Sequence, residues 1–287
     1  MESYRRLVYP YLVWMGIFIG LPMFLIVMYA FTTPGNETVS FVFTLENFKR
    51  FFDPIFVNVL LRSLTVAGIT TILCLIIGYP MAYMISRLSP RFQVLMMLFV
   101  TIPMWINTLI RTYSWISLLS DNGIINTFLV KLGIGPFKMM YTDFSVILGM
   151  VYTFLPFMIL SIYSQLAKMD HSLLEAAADL GASKLKSFLK VTFPLSIPGV
   201  VSGITLVFLP SVSSFIVPQL LGGGSYMLIG NLIEKQFIVT AEWNFGSAIS
   251  LLMTLVIFIS MALIRYFDKD IEEVDSKVAR RNQYGRI

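Results

Sequence analysis

The chain has 287 residues, of which 57% are hydrophobic and 13% charged, and its mean hydropathy is +0.79. Soluble domains carry roughly 25% charged residues, so this composition excludes an ordinary soluble domain and fits a polytopic membrane protein. The net charge of +5 is explained by the Lys and Arg that such proteins collect in cytoplasmic loops, a simpler source than nucleic-acid binding. A single cysteine, Cys74, and a single histidine, His171, exclude an intrachain disulfide and a zinc or Cys–His site built by this chain alone.

A helix needs about 20 mostly apolar residues to cross a bilayer core. Charges delimit six such stretches: 8–31, 59–85, 92–110 (interrupted by Pro103), 144–166, 197–220 and 245–264. The first follows Arg5 and Arg6, but it is too long for a signal peptide and lacks an A-x-A cleavage site, so it reads as an uncleaved helix. The expected class is an all-α membrane protein of about six spans, with a permease-like membrane domain over 1–267 and a charged, frayed tail over 268–287.

Lys and Arg set the orientation. One set of loops holds Arg5, Arg6, Arg87, Arg91, Lys168, Lys184, Lys186 and Lys190, together with the basic tail; the opposite set is poorer for its length. The bias places both termini and the 168–198 loop in the cytoplasm. The outward loops 32–58 and 112–143 are long, carry turn signals at Pro34-Gly35, Asp121-Asn122-Gly123 and Gly133 to Pro136, and hold a candidate short helix over 124–132.

The 168–198 loop is the most structured-looking polar segment. Ser172 and Glu175 have capping-box spacing, the following Leu and Ala residues favour helix, and Gly181 suits a left-handed position just past a helix end. Ser183 can cap a second helix, which Pro194 is expected to end. A well-capped connector would use the same residues. Two features argue instead for a docking element: helix–helix connections commonly run about 2–8 residues, and Leu173, Leu174, Leu185, Phe188 and Leu189 present apolar surface that needs a partner.

The loop reads E-A-A-x3-G-x9-V-x-F-P through Glu175, Ala176, Ala177, Gly181, Val191, Phe193 and Pro194. It resembles the cytoplasmic loop of permease subunits of bacterial ATP-binding-cassette importers, with Val191 and Phe193 where that family often has Ile and Leu. The resemblance implies the MetI-like fold of type I importers. It also implies a coupling helix docked on an ATPase subunit, with Ser172, Leu174, Glu175, Ala176, Ala177, Gly181, Val191 and Pro194 at or supporting the contact. The segments GYPMAY (78–83), PMWINTLIRTY (103–113), LEAAADLGAS (174–183) and PQLLGG (218–223) are similar to the spermidine/putrescine branch, across about 43–267. Implied partners are a second permease subunit, two ATPase subunits and an extracellular substrate-binding protein, in the bacterial cytoplasmic membrane.

No G-x4-G-K-[ST] loop occurs, so ATP and its Mg²⁺ are expected on the partner ATPase and this chain is expected to bind no cofactor and catalyse no reaction. The six stretches contain no Asp or Glu, which argues against proton-coupled secondary transport. Candidate pathway residues are Trp105, Asn107, Arg111, Tyr113, Tyr152, Phe208, Ser211 and Phe215. Helix–helix hydrogen bonding for the Ser and Thr, and an interfacial belt for the Trp and Tyr, stay open as alternatives. Arg111 is expected at the outer interface, beside lipid headgroups or a partner's carboxylate. Gly16-x3-Gly20 and Gly199-x3-Gly203 read as close-packing positions. A polyamine cargo would need carboxylates, and the acids of this chain (Glu37, Glu46, Asp53, Asp121, Asp143, Glu234, Glu242) lie outside the spans, so a second permease is expected to supply them. Rival readings are an importer of ferric iron, phosphate or an amino acid, and a membrane scaffold.

Overall fold

The computed structural model describes residues 2–33, 42–170, 172–224 and 226–284, with side chains from 9 to 264. The Pro34-Gly35 turn, Glu37 and His171 lie outside the described residues. Among those described, the chain is helical, with one isolated bridge between Thr32 and Phe43. Five helices are long and apolar enough to span a membrane, and a sixth span forms if one sharply bent pair is counted together.

The helices are α1 (Glu2–Met15), α2 (Leu21–Ala30), α3 (Glu46–Phe51), α4 (Pro54–Ser86), α5 (Pro90–Trp105), α6 (Thr108–Leu119) and α7 (Ile124–Lys131). They continue as α8 (Asp143–Leu166), α9 (Ser172–Asp179), α10 (Lys184–Ser187), α11 (Phe193–Ser213), α12 (Ile216–Gly222), α13 (Ile229–Glu234) and α14 (Trp243–Tyr284). π-Helical turns at Gly16–Gly20, Phe188–Thr192 and Lys235–Val239 join α1 to α2, α10 to α11, and extend α13. The contacts divide into two compact units, Met1–Leu61 with Ile229–Ile259 and Arg62–Leu228 with Ser260–Ile287.

In the first unit, α1 and α2 form one apolar rod, and Ala30 is the buried residue of α2. The last carbonyls of a helix lack intrahelical donors. Here side-chain amides supply them: Asn47 Nδ2 donates to the carbonyls of Ala30 (3.1 Å) and Thr32 (3.0 Å), and Asn244 Nδ2 to those of Tyr29 (3.0 Å) and Thr32 (2.9 Å). Arg50 pairs with Glu242 and lies over the Phe245 ring at 4.2 Å. Gly16 and Gly20, expected to allow close packing, instead bound the π turn and have open space where a Cβ would stand.

The second unit is built on α8, with α11 and α12 packed along it. Lipid removes the hydrophobic drive between membrane helices, so tight packing of small residues takes its place. A Cβ on Gly199 would stand 2.7 Å from Gln165 Cβ, and one on Gly203 2.6 Å from Met158 Sδ. These two glycines are therefore the close-approach sites expected of them. Met150, Met158, Ile162, Val207 and Leu221 fill the core, fully buried.

Three expectations need correction. The stretch 92–110 is not a continuous span: α5 stops at Trp105, Ile106 and Asn107 are extended, and the helices on either side meet at 94°. Pro194 does not end a helix, because Lys184–Ser213 runs through it. Proline lacks an N–H and crowds the carbonyl four residues back, here that of Lys190. The π turn over 188–192 absorbs the misfit, with the Phe193 amide donating to the Phe188 carbonyl. The real break comes later, at Ser214 and Phe215, so the fifth stretch begins and ends earlier than 197–220. The helix α14 runs on into the charged tail as far as Tyr284.

Candidate coupling element and translocation site

The 172–194 segment is a capped, glycine-hinged helical pair. Ser172 is the first residue of α9 rather than its cap, so the expected capping box does not form; Asp170 Oδ1 accepts from the Ser172 amide at 2.9 Å instead. At the other end the Ala182 amide donates to Ala177 (3.0 Å) and the Gly181 amide to Ala178 (2.8 Å), with Gly181 at φ +72°. These two bonds make a Schellman motif, and left-handed φ is where glycine avoids the Cβ penalty. Ser183 Oγ accepts from the Lys186 amide at 3.4 Å and starts α10, as expected.

Ser172, Glu175, Ala176 and Gly181 are exposed, whereas Leu174, Ala177, Val191 and Pro194 are half-buried. Leu180 (89%), Leu185 (67%) and Leu189 (55%) stand open beside them. The pair is anchored to α4 by aromatic side chains. The Tyr79 hydroxyl and Ser196 Oγ are 2.8 Å apart, and Ser196 Oγ donates to the Phe193 carbonyl, which leaves Tyr79 as the donor to Ser196. Tyr79 and Tyr83 hold Phe188 between them at ring distances of 6.0 and 5.2 Å, and Arg87 covers Tyr83 at 5.0 Å. Tyr79 and Tyr83 belong to the 78–83 segment, in which no role for them was legible. Their four-residue spacing, which puts both rings on one helix face, was the available signal.

The pathway candidates divide. Asn107 caps α6, its Oδ1 accepting from the Leu109 amide at 2.8 Å. Trp105 (87%) and Tyr113 (58%) are exposed. Arg111, Tyr152 and Trp115 come together, with the guanidinium 5.8 Å from the Tyr152 ring centroid and the two rings 5.3 Å apart. Arg111 is not at a lipid-facing position, being only 9% exposed. Phe208 and Ser211 lie on α11, and Phe215 at its junction with α12; the Ser211 hydroxyl is buried with no hydrogen-bond partner. Tyr152 also lines an apolar cavity of about 460 Å³ between α4, α5 and α8, walled by Met81, Met84, Met96, Phe99 and Pro103.

A third cluster went unrecognised in the sequence. Arg62 Nη2 donates to Asp143 Oδ1 at 3.0 Å, the Tyr226 hydroxyl donates to the same oxygen at 2.7 Å, and Arg62 lies over the Tyr226 ring at 4.0 Å. Burial, then the neighbouring Asp143, raises Tyr226 above the ordinary tyrosine range.

Residues 74–273 match the family described as the inner membrane component of binding-protein-dependent transport systems. The chain belongs to this family. It is thus a multi-pass inner-membrane permease. Among similar proteins are two described as the spermidine/putrescine transport system permease PotB. The Haemophilus influenzae protein is 40% identical over 266 residues (90% of this chain, 93% of that protein), and the Escherichia coli protein 42% over 246 (85% and 90%). An E. coli inner membrane ABC transporter permease, YdcU, is 31% identical over 270 residues, 88% of this chain and 86% of that protein. The fold matches a chain of a bacterial alginate ABC transporter complexed with its alginate-bound periplasmic protein, with TM-score 0.80 at 16% identity over 94% of this chain and 95% of that one. A second alginate importer structure gives TM-score 0.76 at 17% identity, covering 94% and 96%. The helical permease fold is therefore the one expected.

Proposed function

We propose that this permease imports polyamines, spermidine and putrescine, and pairs with a second permease to form the pathway. The observation that carries this reading is identity of 40–42%, over most of the chain, to relatives described as spermidine/putrescine permeases. Energy comes from ATPase subunits that carry ATP and Mg²⁺, and an extracellular binding protein delivers cargo. In this reading the termini and the 168–198 loop face the cytoplasm, residues 1–267 form the transport domain and 268–287 a tail.

Coupling runs through the α9–α10 pair. The exposed Glu175 and Ala176, the leucines beside them and the turn fixed by Gly181 meet the ATPase. Leu174, Ala177, Val191 and Pro194 support that surface from behind, and Tyr79 and Phe188 pass its displacement to α4 and α11. On the cargo side, Trp105 and Tyr113 offer exposed ring faces to ammonium groups, and Tyr152, Phe208 and Phe215 continue the aromatic lining. Asn107 and Ser211 contribute local polarity.

ATP-dependent uptake of labelled spermidine by the reconstituted four-component complex tests the function. Competition by unlabelled spermidine and putrescine, with none by ferric iron, phosphate or amino acids, is the expected result. Uptake blocked by one of the latter and indifferent to polyamines would replace the cargo.

A further inference from the structure

The segment after α6 is tied down by its own hydrogen bonds. Asn126, on the inward face of α7, is buried; its Nδ2 donates to the carbonyls of Ser120 (3.2 Å) and Phe137 (2.9 Å), and its Oδ1 accepts from the Phe137 amide (2.9 Å). α7 closes in a Schellman motif: the Ile134 amide donates to the Leu129 carbonyl (3.0 Å) and the Gly133 amide to that of Val130 (3.0 Å), with Gly133 at φ +75°. Ile125 packs against the buried core. These contacts fix which side chains turn outward.

The outward side is apolar. Ile124, Phe128 and Leu132 recur at four-residue spacing, and Ile134 and Phe137 follow in the clamped turn; all five are at least half exposed. An apolar surface of this extent, held in place, needs a covering partner. Its charge narrows the choice. Lys131 and Lys138 stand exposed within it, and no Asp or Glu occurs between Asp121 and Asp143. A polyamine, itself cationic, is repelled by such a surface. Direction narrows it further, because the stretch Thr108–Lys131 leaves α5 at 94°. Membrane helices tilt about 20° from the bilayer normal on average, so a stretch perpendicular to one runs along the membrane surface. We propose that α7 and the 132–138 turn form an interfacial anchor. Its apolar side chains enter the leaflet opposite the 168–198 loop, across α8, and Lys131 and Lys138 take the phosphates of anionic phospholipids. Apolar residues with lysines among them are the pattern that seats a helix about 5–10 Å into the headgroup boundary. The inference rests on the multi-pass fold and not on the identity of the cargo.

The test is photo-crosslinking from the anchor itself. Phe128 is replaced by p-benzoylphenylalanine, which keeps an aromatic side chain at the position. The assembled importer is placed in vesicles of equimolar phosphatidylglycerol and phosphatidylcholine, with and without the extracellular binding protein. After irradiation, adducts of this chain are identified by mass spectrometry. A lysine near an anionic surface favours it by about fivefold. The expected result is phospholipid adducts, with phosphatidylglycerol favoured several-fold and no change on adding the binding protein. Lys131→Gln combined with Lys138→Gln is expected to bring the two lipids to equal yield while the adducts persist. Adducts with the companion permease or the binding protein in place of lipid overturn the proposal, as does a yield no higher than in the unirradiated sample, which marks a water-facing surface. Equal yields from the two lipids in the unsubstituted lysine background overturn it as well. Spermidine uptake is measured separately, so failure of the polyamine assignment leaves this result standing and the reverse also holds.

Discussion

The coupling reading places a sharp demand on Gly181. Its φ is +72°, and no atom stands within 4 Å of where a Cβ would be built. A side chain there meets no steric wall, and the whole penalty is backbone strain. For an ordinary L-residue a left-handed conformation costs roughly 1–2 kcal/mol, more for a β-branched one, whereas Asn visits it routinely. At 1.4 kcal/mol per decade, Gly181→Val therefore lowers the population of the native turn about tenfold or more, and Gly181→Asn changes it little. The assay is co-purification of the ATPase with this chain from membranes in which insertion is verified by protein level. Gly181→Val is expected to insert normally and to lose most of the ATPase, while Gly181→Asn keeps it. Equal losses in both would show that bulk at the docking surface, not turn geometry, is decisive. Full retention by Gly181→Val would refute the claim that this turn presents the ATPase contact.

The anchoring and packing features give three further outcomes. Tyr79→Phe removes the hydroxyl bonded to Ser196 and keeps the ring, so it is expected to cost about 1 kcal/mol, leave ATPase binding intact and lower uptake per ATP hydrolysed in proteoliposomes. Gly199→Val sets a Cβ against Gln165 and the Ser161 carbonyl, and overpacking of about 1–3 kcal/mol is expected to lower the thermal midpoint in detergent. The raised Tyr226 implies that the folded state holds the protonated phenol. Its contribution is full below the ordinary tyrosine value near pH 10 and fades as pH rises through the folded value. Tyr226→Phe should flatten the alkaline loss of stability seen by thermal scans from pH 8 to 11; an unchanged slope would refute that linkage.

The spans and the helix–glycine–helix loop were legible because they rest on strong local signals: apolar length, caps and a glycine at a helix end. Proline was less informative. Pro103 and Pro194 both promised a disruption, yet only the first lies near a true break, which comes at Ile106 and Asn107. A π turn lets a helix carry a proline without stopping, and that compensation depends on backbone geometry rather than residue type. Asn107 was read as a polar residue within a span; its preference for helix caps was the stronger signal. The Arg62–Asp143–Tyr226 cluster joins residues far apart in the chain, and no spacing rule reports such a meeting. The burial of Arg111 was equally hidden, because it is set by how α6 packs and not by position in the sequence.

The amide clamp made by Asn47 and Asn244 grips only the far end of the first apolar rod, at residues 29–32. Within the first unit, that rod is a cantilever: from Tyr9 to Tyr29 it has no buried residue to hold it. A beam fixed at one end takes its angle from whatever presses along its length. The tilt of this helix is accordingly set by the surrounding assembly and bilayer. Apolar exchanges along it should matter less than the loss of a single asparagine at its root.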